Sequence, residues 1–294
     1  MSSPPPAEPA ELAGLLRADV AAYNARVAGA ITIDLRGVDL GGVDLSQARL
    51  EGADLSGANL AGARVDGSAL VRCRLEGTRT DGVVVDAYWR SILDAIALVW
   101  RGAGAWNAAR VPGGEPRMLD GADFSGAKLA GIDFGDTFLN HASFQGADLS
   151  DATFKKAALE MASLVDASLE RATLKFTNLI GANLGRARFD GATLRHCRLE
   201  NVLAIGTSFA RATIVGGEWR AGDFTEASFE GATLEKTGLN YARLTRARFA
   251  GARLTGVSFV STDHHFADFE GATLVQCVDL GTIETGVPFD PTPN

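Results

Sequence analysis

A large apolar residue recurs at every fifth position through most of this chain, and this period constrains the fold more than any other feature. From Leu119 to Leu274 the large residue is almost always Leu or Phe, with a small residue two places before it. The same pattern runs from Leu35 to Val85. In an α-helix five residues turn through about 500°, and in a straight strand an odd spacing alternates faces. Because neither element would bury one side, the chain must bend within each unit and form a coil of stacked turns.

The repeated unit resembles that of the pentapeptide repeat family. Its pattern is Ala, then Asp or Asn, then Leu, any residue and Gly, as in Ala53-Asp54-Leu55-Ser56-Gly57, and with one departure in Ala182-Asn183-Leu184-Gly185-Arg186. The resemblance covers most of the chain. It implies an all-β solenoid, a right-handed quadrilateral β-helix with four pentapeptides per coil.

Segments that lack the pattern divide the chain. We expect a disordered tail at 1–8, an N-terminal capping helix at 9–30, repeat block 1 at 31–85, repeat block 2 at 119–279 and a C-terminal tail at 280–294. The helix is predicted from apolar residues at helical spacing. It would cover the open first coil, whose unpaired backbone groups could otherwise pair with another chain.

The segment between the two blocks, residues 86–118, is an insertion, because the repeat centres on its two sides are out of phase. Its first half predicts a helix and its second half, rich in Gly and Pro, a loop. Exposed Trp and Arg are common interface anchors. The candidate partner-binding residues are Trp89, Trp100, Arg101, Trp106 and Arg110. The alternative is a helix packed on the coil that buries these rings.

Charge is unevenly distributed over the coil. The formal net charge of −8 argues against direct nucleic-acid binding, although a local patch can have the opposite sign. When the units of block 2 are assigned in turn to four sides, no side is uniformly acidic and one is positive. That side carries a candidate basic stripe of Lys155, Lys156, Lys175, Arg195 and Arg253, with His196 beside it.

The sequence contains no pattern for catalysis, a cofactor or a metal. Cys73, Cys197 and Cys277 all stand two places before a repeat centre, so we interpret them as small core residues. His264 and His265 are neighbours and should point to different sides of the coil. Acidic residues before repeat centres, such as Asp39, Asp44, Asp54 and Asp148, are expected to bond nearby backbone at the corners. The repeat centres that are neither Leu nor Phe in block 2 are Ala204, Ile214, Trp219 and His264, where we expect local adjustments of the coil.

The expected cellular location of the protein follows from two further features of the sequence. No apolar run is long enough to cross a membrane, and the N-terminus lacks the basic start and apolar core of a signal peptide. We therefore expect a cytoplasmic protein. Its oligomeric state is left open.

Three functions remain. The best-known pentapeptide repeat proteins bind bacterial DNA gyrase and related topoisomerases by resembling a DNA duplex, and some protect these enzymes from antibiotics. The resemblance therefore implies, as the specific hypothesis, a non-enzymatic DNA mimic, which requires a continuous acidic surface. The alternative is a generic protein-interaction scaffold, an effector or immunity-type module acting through the 86–118 insertion, which predicts exposed tryptophans there. An enzyme would need a pocket between insertion and coil.

Overall fold

Four consecutive pentapeptides make one coil. In the computed structural model, which describes residues 7–111 and 114–278, strands pair in parallel with strands twenty residues further along, as Ile33 does with Ala53 and Thr173 with Thr193. The central residues of the units point inward and are almost all buried. The expected right-handed quadrilateral β-helix is confirmed. Residues 1–6 and 279–294 lie outside the described residues, as do most of the two tails expected at 1–8 and 280–294.

The described residues form two compact units. One unit extends to Arg101 and includes Gly121–Asp123, and the other contains the remaining residues from Gly102 onward. In the first unit two pairs of short parallel strands are formed, β1 with β3 and β2 with β4: β1 (Ile33–Asp34), β2 (Asp44–Leu45), β3 (Ala53–Asp54) and β4 (Arg64–Val65). In the second unit six strands form one parallel sheet in chain order: β5 (Thr173–Lys175), β6 (Thr193–Arg195), β7 (Thr213–Val215), β8 (Thr233–Glu235), β9 (Arg253–Thr255) and β10 (Thr273–Val275).

Most corners of the coil are tight turns that begin at a repeat centre. The carbonyl of Phe124, for example, accepts from the N–H of Ala127 at 3.1 Å. At most corners the residue two places after the centre has positive φ, as in Gly131 at 73° and Lys156 at 59°, which is the arrangement of a type II turn. The Asp before the centre accepts from the N–H two residues on, at 3.1 Å for Asp39 and 3.0 Å for Asp148. The structural role expected for these carboxylates is confirmed.

The interior is filled by columns of side chains stacked from coil to coil. In one column of the second unit adjacent phenyl centroids lie 4.7–5.1 Å apart: Phe189, Phe209, Phe229, Phe249 and Phe269. The largest departure from the Leu/Phe rule, Trp219, is fully buried against Phe209 and Phe224. The backbone adjusts beside it. A Cβ on Gly217, whose φ is 106°, would lie 2.4 Å from the carbonyl oxygen of Cys197.

The described part of the chain contains five helices beside the coils: α1 (Pro9–Ala18), α2 (Val20–Arg26), α3 (Gly67–Val71), α4 (Ala87–Trp100) and α5 (Ala103–Ala108). The single helix expected at 9–30 is two helices, because Asp19 is extended and its carboxylate accepts from the N–H groups of Ala21 and Ala22 at 2.9 and 3.0 Å. Among residues 7–111 and 114–278 no helix has the length and apolarity that a membrane crossing requires.

Helix α3 was not expected, since its residues follow the repeat pattern of block 1. Asp66 begins it by accepting from the N–H of Ser68 at 2.9 Å. Gly67 then passes so close to Trp89 of α4 that a Cβ would lie 2.3 Å from the ring atom Cγ. The short helix therefore replaces one turn of the coil where α4 packs.

The positive φ values allow a test of corner energetics. Gly251 has φ of 65° and space for a Cβ, so Gly251→Ala should lower the free energy of unfolding by about 1 kcal/mol through the backbone alone. Ala221 has φ of 55°, so Ala221→Gly should raise it by about 0.5–1 kcal/mol. Chemical denaturation measures both. The control, Gly14→Ala within α1, should raise the free energy of unfolding by about 0.5–1 kcal/mol. A Gly251→Ala variant with an unchanged free energy of unfolding would contradict the role of positive φ at the corners.

The three cysteines are buried in the core, as their repeat position predicts. Burial raises the pKa of the Cys73 thiol to about 12 and that of Cys197 to about 11. Because the thiolate is the reactive form, an aromatic disulfide reagent at pH 8 should label none of the three thiols in the native protein and all of them in denaturant. The neutral thiols contribute stability below the ordinary thiol pKa. That contribution is lost as the pH rises from about 9 towards 11–12, so the denaturation midpoint should fall over this range. Rapid labelling of the native protein at pH 8 would contradict the burial of the thiols.

Candidate functional site

The first half of the insertion forms α4 and packs within the first unit. Trp89 lies against Gly67, and the guanidinium of Arg74 lies over the ring of Trp100, 5.7 Å from its centroid. Both tryptophans are half-buried, whereas Arg101, which follows the helix, is exposed. Of these three candidate partner-binding residues, Arg101 therefore offers the most surface to a partner.

The second half of the insertion forms α5, which closes an edge of the coil in the second unit. The buried indole N–H of Trp106 donates to the carbonyl of Asp133 at 2.6 Å, and Arg110 donates to the same oxygen at 2.8 Å. Asn107 behaves like a peptide group. Its Nδ2 donates to the Gly131 carbonyl at 3.0 Å and its Oδ1 accepts from the Asp133 N–H at 2.8 Å. The bonds to Asp133 satisfy backbone groups that a preceding coil would otherwise satisfy.

Helix α2 closes the first coil of the first unit in the same way. The Tyr23 hydroxyl donates to the Arg49 carbonyl at 3.1 Å. Asn24 donates to the Gln47 carbonyl at 2.8 Å and accepts from the Arg49 N–H at 2.8 Å. Gln47 and Arg49 hold the same repeat positions as Gly131 and Asp133. Each unit thus has a helix in which an aromatic residue followed by Asn caps the coil, and comparing the sequences Ala22–Arg26 and Ala105–Arg110 would have found this signal.

The expectation of exposed tryptophans in the insertion is wrong for Trp106. Its ring is fully buried, 5.4 Å from the ring of Phe134, and the guanidinium of Arg117 lies over it at 4.6 Å. The physical reason is that an open coil edge needs both apolar cover and hydrogen-bond donors, and Trp supplies both. Arg110 is also engaged, since its Nε lies 3.4 Å from the Asp133 carboxylate.

A recess of about 300 Å³ lies between this cap and the coil of the second unit. Burial and the neighbouring Arg110 lower the pKa of Arg117, one of the residues that line it. The hydroxyl of Thr137 donates to the Gly135 carbonyl at 3.3 Å, and so is not poised as a nucleophile. Pro112 and Gly113, part of the predicted loop, lie outside the described residues. The described lining residues contain no pairing of a nucleophile with a base: Arg110, Val111, Gly114, Glu115, Arg117, Gly135, Asp136 and Thr137.

Four residues of the predicted stripe meet on one face of the second unit. Lys175 of β5 lies beside Arg195 of β6, and the pairing of Thr153 with Thr173 places Lys155 on the other side of Lys175. The N–H of Lys156 donates to the Lys175 carbonyl at 2.8 Å. All four side chains are exposed. We call Lys155, Lys156, Lys175 and Arg195 the basic cluster.

Arg253 does not join the basic cluster. It pairs with Thr233 and Thr273, in the row of residues that precede the repeat centres, whereas Lys175 and Arg195 follow their centres. The row of Arg195 continues through Val215 and Glu235. The stripe is therefore interrupted by an apolar and an acidic residue, and Arg253 is a separate exposed cation.

The cations of the basic cluster lack acidic partners, unlike several arginines of the second unit. Arg171 pairs with Asp151 one coil earlier and Arg186 pairs with Asp166, both at 2.7 Å. Hydrogen bonds from these guanidinium groups lower the pKa of Asp151 and of Asp166. Among the residues that the structure describes, none of the four cluster cations forms an ion pair. Adjacent unit charges about 5 Å apart repel by roughly 1 kcal/mol in water, so this face is poised for an anion.

An exposed aromatic pair lies within the basic cluster. Phe176 is 50% exposed and stacks on His196, with ring centroids 5.3 Å apart and planes at 13°. The ammonium of Lys175 lies 5.5 Å from the centroid of Phe176. The repeat pattern gave no reason to select Phe176, because its position in the unit is normally polar or Gly. The feature of the sequence that could have identified it is a large apolar residue at a repeat position that points outward.

The two adjacent histidines contact different neighbours. His265 Nδ1 lies 2.6 Å from a carboxylate oxygen of Asp263, and His264 Nδ1 lies 3.3 Å from the Thr262 hydroxyl. Within residues 7–111 and 114–278 no group of three or more His, Cys, Asp or Glu side chains could hold a metal ion.

The family model described as pentapeptide repeats matches the chain in eight copies, over residues 33–77, 119–155, 167–203 and 239–276. The matched segments make up more than half of the chain. This protein belongs to the pentapeptide repeat family. None of the curated proteins compared with it matches.

Several solved structures of pentapeptide repeat proteins are similar to this chain. A protein from the thylakoid lumen of Arabidopsis thaliana is 34% identical, over 33% of this chain and 67% of that one, with a TM-score of 0.32. HetL from the cyanobacterium Nostoc, involved in heterocyst differentiation regulation, is 21% identical over 85% and 95% of the chains, with a TM-score of 0.28. Trypsin-treated QnrB1, a plasmid-mediated fluoroquinolone resistance protein, is 16% identical over 83% and 92%, with a TM-score of 0.36.

The role of α5 as a cap can be tested by removing its bonds to the coil. Trp106→Ala should lower the free energy of unfolding of the second unit by about 3–5 kcal/mol, and Asn107→Ala by about 1–2 kcal/mol. Asn107→Ala should also speed hydrogen exchange of the Asp133 amide, because that N–H loses its acceptor. Gln145→Ala, at an exposed coil position, is the matched control and should change stability by less than about 0.5 kcal/mol. An unchanged Asp133 exchange rate would refute the cap.

Proposed function

We propose that this pentapeptide repeat protein is a non-enzymatic protein-binding scaffold that presents the face carrying the basic cluster to its partner. The observation that carries this proposal is the contrast in charge pairing. Arginines such as Arg171 and Arg186 are neutralised by acids of the same unit, whereas the four cluster cations are not. A filled coil holds these side chains at fixed spacing, and a preorganised surface binds with less loss of conformational entropy.

The insertion is less suited to partner binding than the face that carries the basic cluster. Trp106 and Arg110 are bound to the coil edge, so they are committed to structure. Trp89 and Trp100 are half-buried, which leaves Arg101 as the exposed candidate there. The three unpaired cysteines suit a reducing compartment, and we propose a cytoplasmic partner.

Photo-crosslinking can test which face is used. Thr173 and Thr233 are both exposed and hold the same repeat position of the sheet, three coils apart. A photoreactive amino acid at Thr173, beside Lys175, should give a discrete crosslinked protein in an extract of the source cells. The same group at Thr233 should not. Adding Lys155→Glu and Lys175→Glu to the Thr173 probe should abolish the product, and equal products from the two positions would refute the proposed face.

The second candidate is a DNA mimic that binds DNA gyrase or another topoisomerase and protects it from antibiotics. The formal charge of −8 in a protein of this family favours it. The pairing of acids with arginines weighs against it, because a duplex mimic needs acidic rows free to replace phosphates. A supercoiling assay with purified protein, with and without a gyrase poison, separates the candidates. Protection at low micromolar protein would support mimicry, and no effect at tens of micromolar would exclude it for gyrase.

A further inference from the structure

We propose that the basic cluster, together with Phe176, binds a short, extended acidic segment of a partner protein that carries an aromatic side chain. This inference rests on the proposed scaffold function and names the chemistry of the partner. Neighbouring strands lie about 4.8 Å apart, so the row of Lys155, Lys175 and Arg195 is about 10 Å long. In an extended segment the side chains that share one face recur about every 7 Å, so two carboxylates fit along this row.

The extent of the basic cluster favours a short segment over a nucleic acid. The row ends at Val215 and Glu235 on one side, and Asp133 and Asp136 lie in the coil before Lys155 and Lys156 on the other. Specific nucleic-acid interfaces use a longer positive track and bury about 1,000 Å² or more. The net charge of −8 also opposes the approach of a long polyanion.

Phe176 indicates that the segment is more than a run of acids. Its φ of 55° and its exposure are unfavourable for the free chain, but Met161, Tyr241 and Phe266 share both features. What distinguishes Phe176 is its place among the cations of the basic cluster. Stacked on His196 and flanked by Lys175, it forms a flat platform among cations. An aromatic side chain of the partner could stack on this platform while neighbouring carboxylates reach the cations.

The test uses a fluorescein-labelled peptide, Gly-Glu-Gly-Glu-Gly-Trp-Gly, in which both carboxylates and the indole share one face of the extended chain. It is titrated with the full-length protein and followed by fluorescence anisotropy. Lys175→Glu and Arg195→Glu should each weaken binding by about tenfold or more, and binding should weaken as salt is raised. Arg253→Glu is the matched control, because Arg253 is an exposed cation of the same sheet outside the basic cluster. It should weaken binding by less than about twofold.

Two more arms test the aromatic platform and the class of ligand. Phe176→Gly keeps a residue suited to positive φ and should weaken the peptide several-fold, while the peptide with Gln in place of Glu should not bind. An oligothymidylate of equal charge should bind more weakly than the peptide. Tighter oligothymidylate binding, equal losses with Arg253→Glu and Lys175→Glu, or no peptide binding would each overturn the inference. Crosslinking at Thr173 without peptide binding would leave the scaffold standing and refute only this partner chemistry.

Discussion

Parallel hydrogen bonding between coils twenty residues apart is the interaction on which the rest of the structure depends. It places identical repeat positions beside one another, as in Thr173 and Thr193, so each position becomes a column along the unit. Inward columns become stacks of Leu and Phe that fill the interior. Outward columns fix the spacing of charges to the strand separation. The same ladder leaves unpaired backbone groups at its ends, so a coil of this kind requires caps.

The two caps use one chemical solution. Tyr23 and Trp106 each bury an aromatic ring and still donate a hydrogen bond to a coil carbonyl, and Asn24 and Asn107 each reproduce both halves of a peptide group. Because these bonds join α5 to the coil of the second unit, α5 is part of that unit. An aromatic residue that looks like a partner-binding residue in the sequence can thus be needed to cap the backbone of a neighbouring coil.

Function in such a protein resides on the surface, because the interior is occupied by its own side chains. Several outward arginines of the second unit are balanced by an acid in the same column, as Arg171 is by Asp151. The four cations of the basic cluster lack this balance, and the exposed Phe176 lies in the same place. Two unfavourable features at one site are easier to explain by a binding partner than by folding.

The sequence by itself determined the fold class, since no other regular structure buries a residue at every fifth position. It also determined the burial of Cys73 and the corner role of Asp39, because both follow from position in the unit. With four units per coil, the sequence also places Lys155, Lys175 and Arg195 side by side. The position of Arg253 within its unit already separates that residue from them. Only the tertiary structure decided the role of the insertion. Trp106 suits an interface or a cap equally well, and the choice depends on Gly131 and Asp133, backbone partners that no local pattern connects to it.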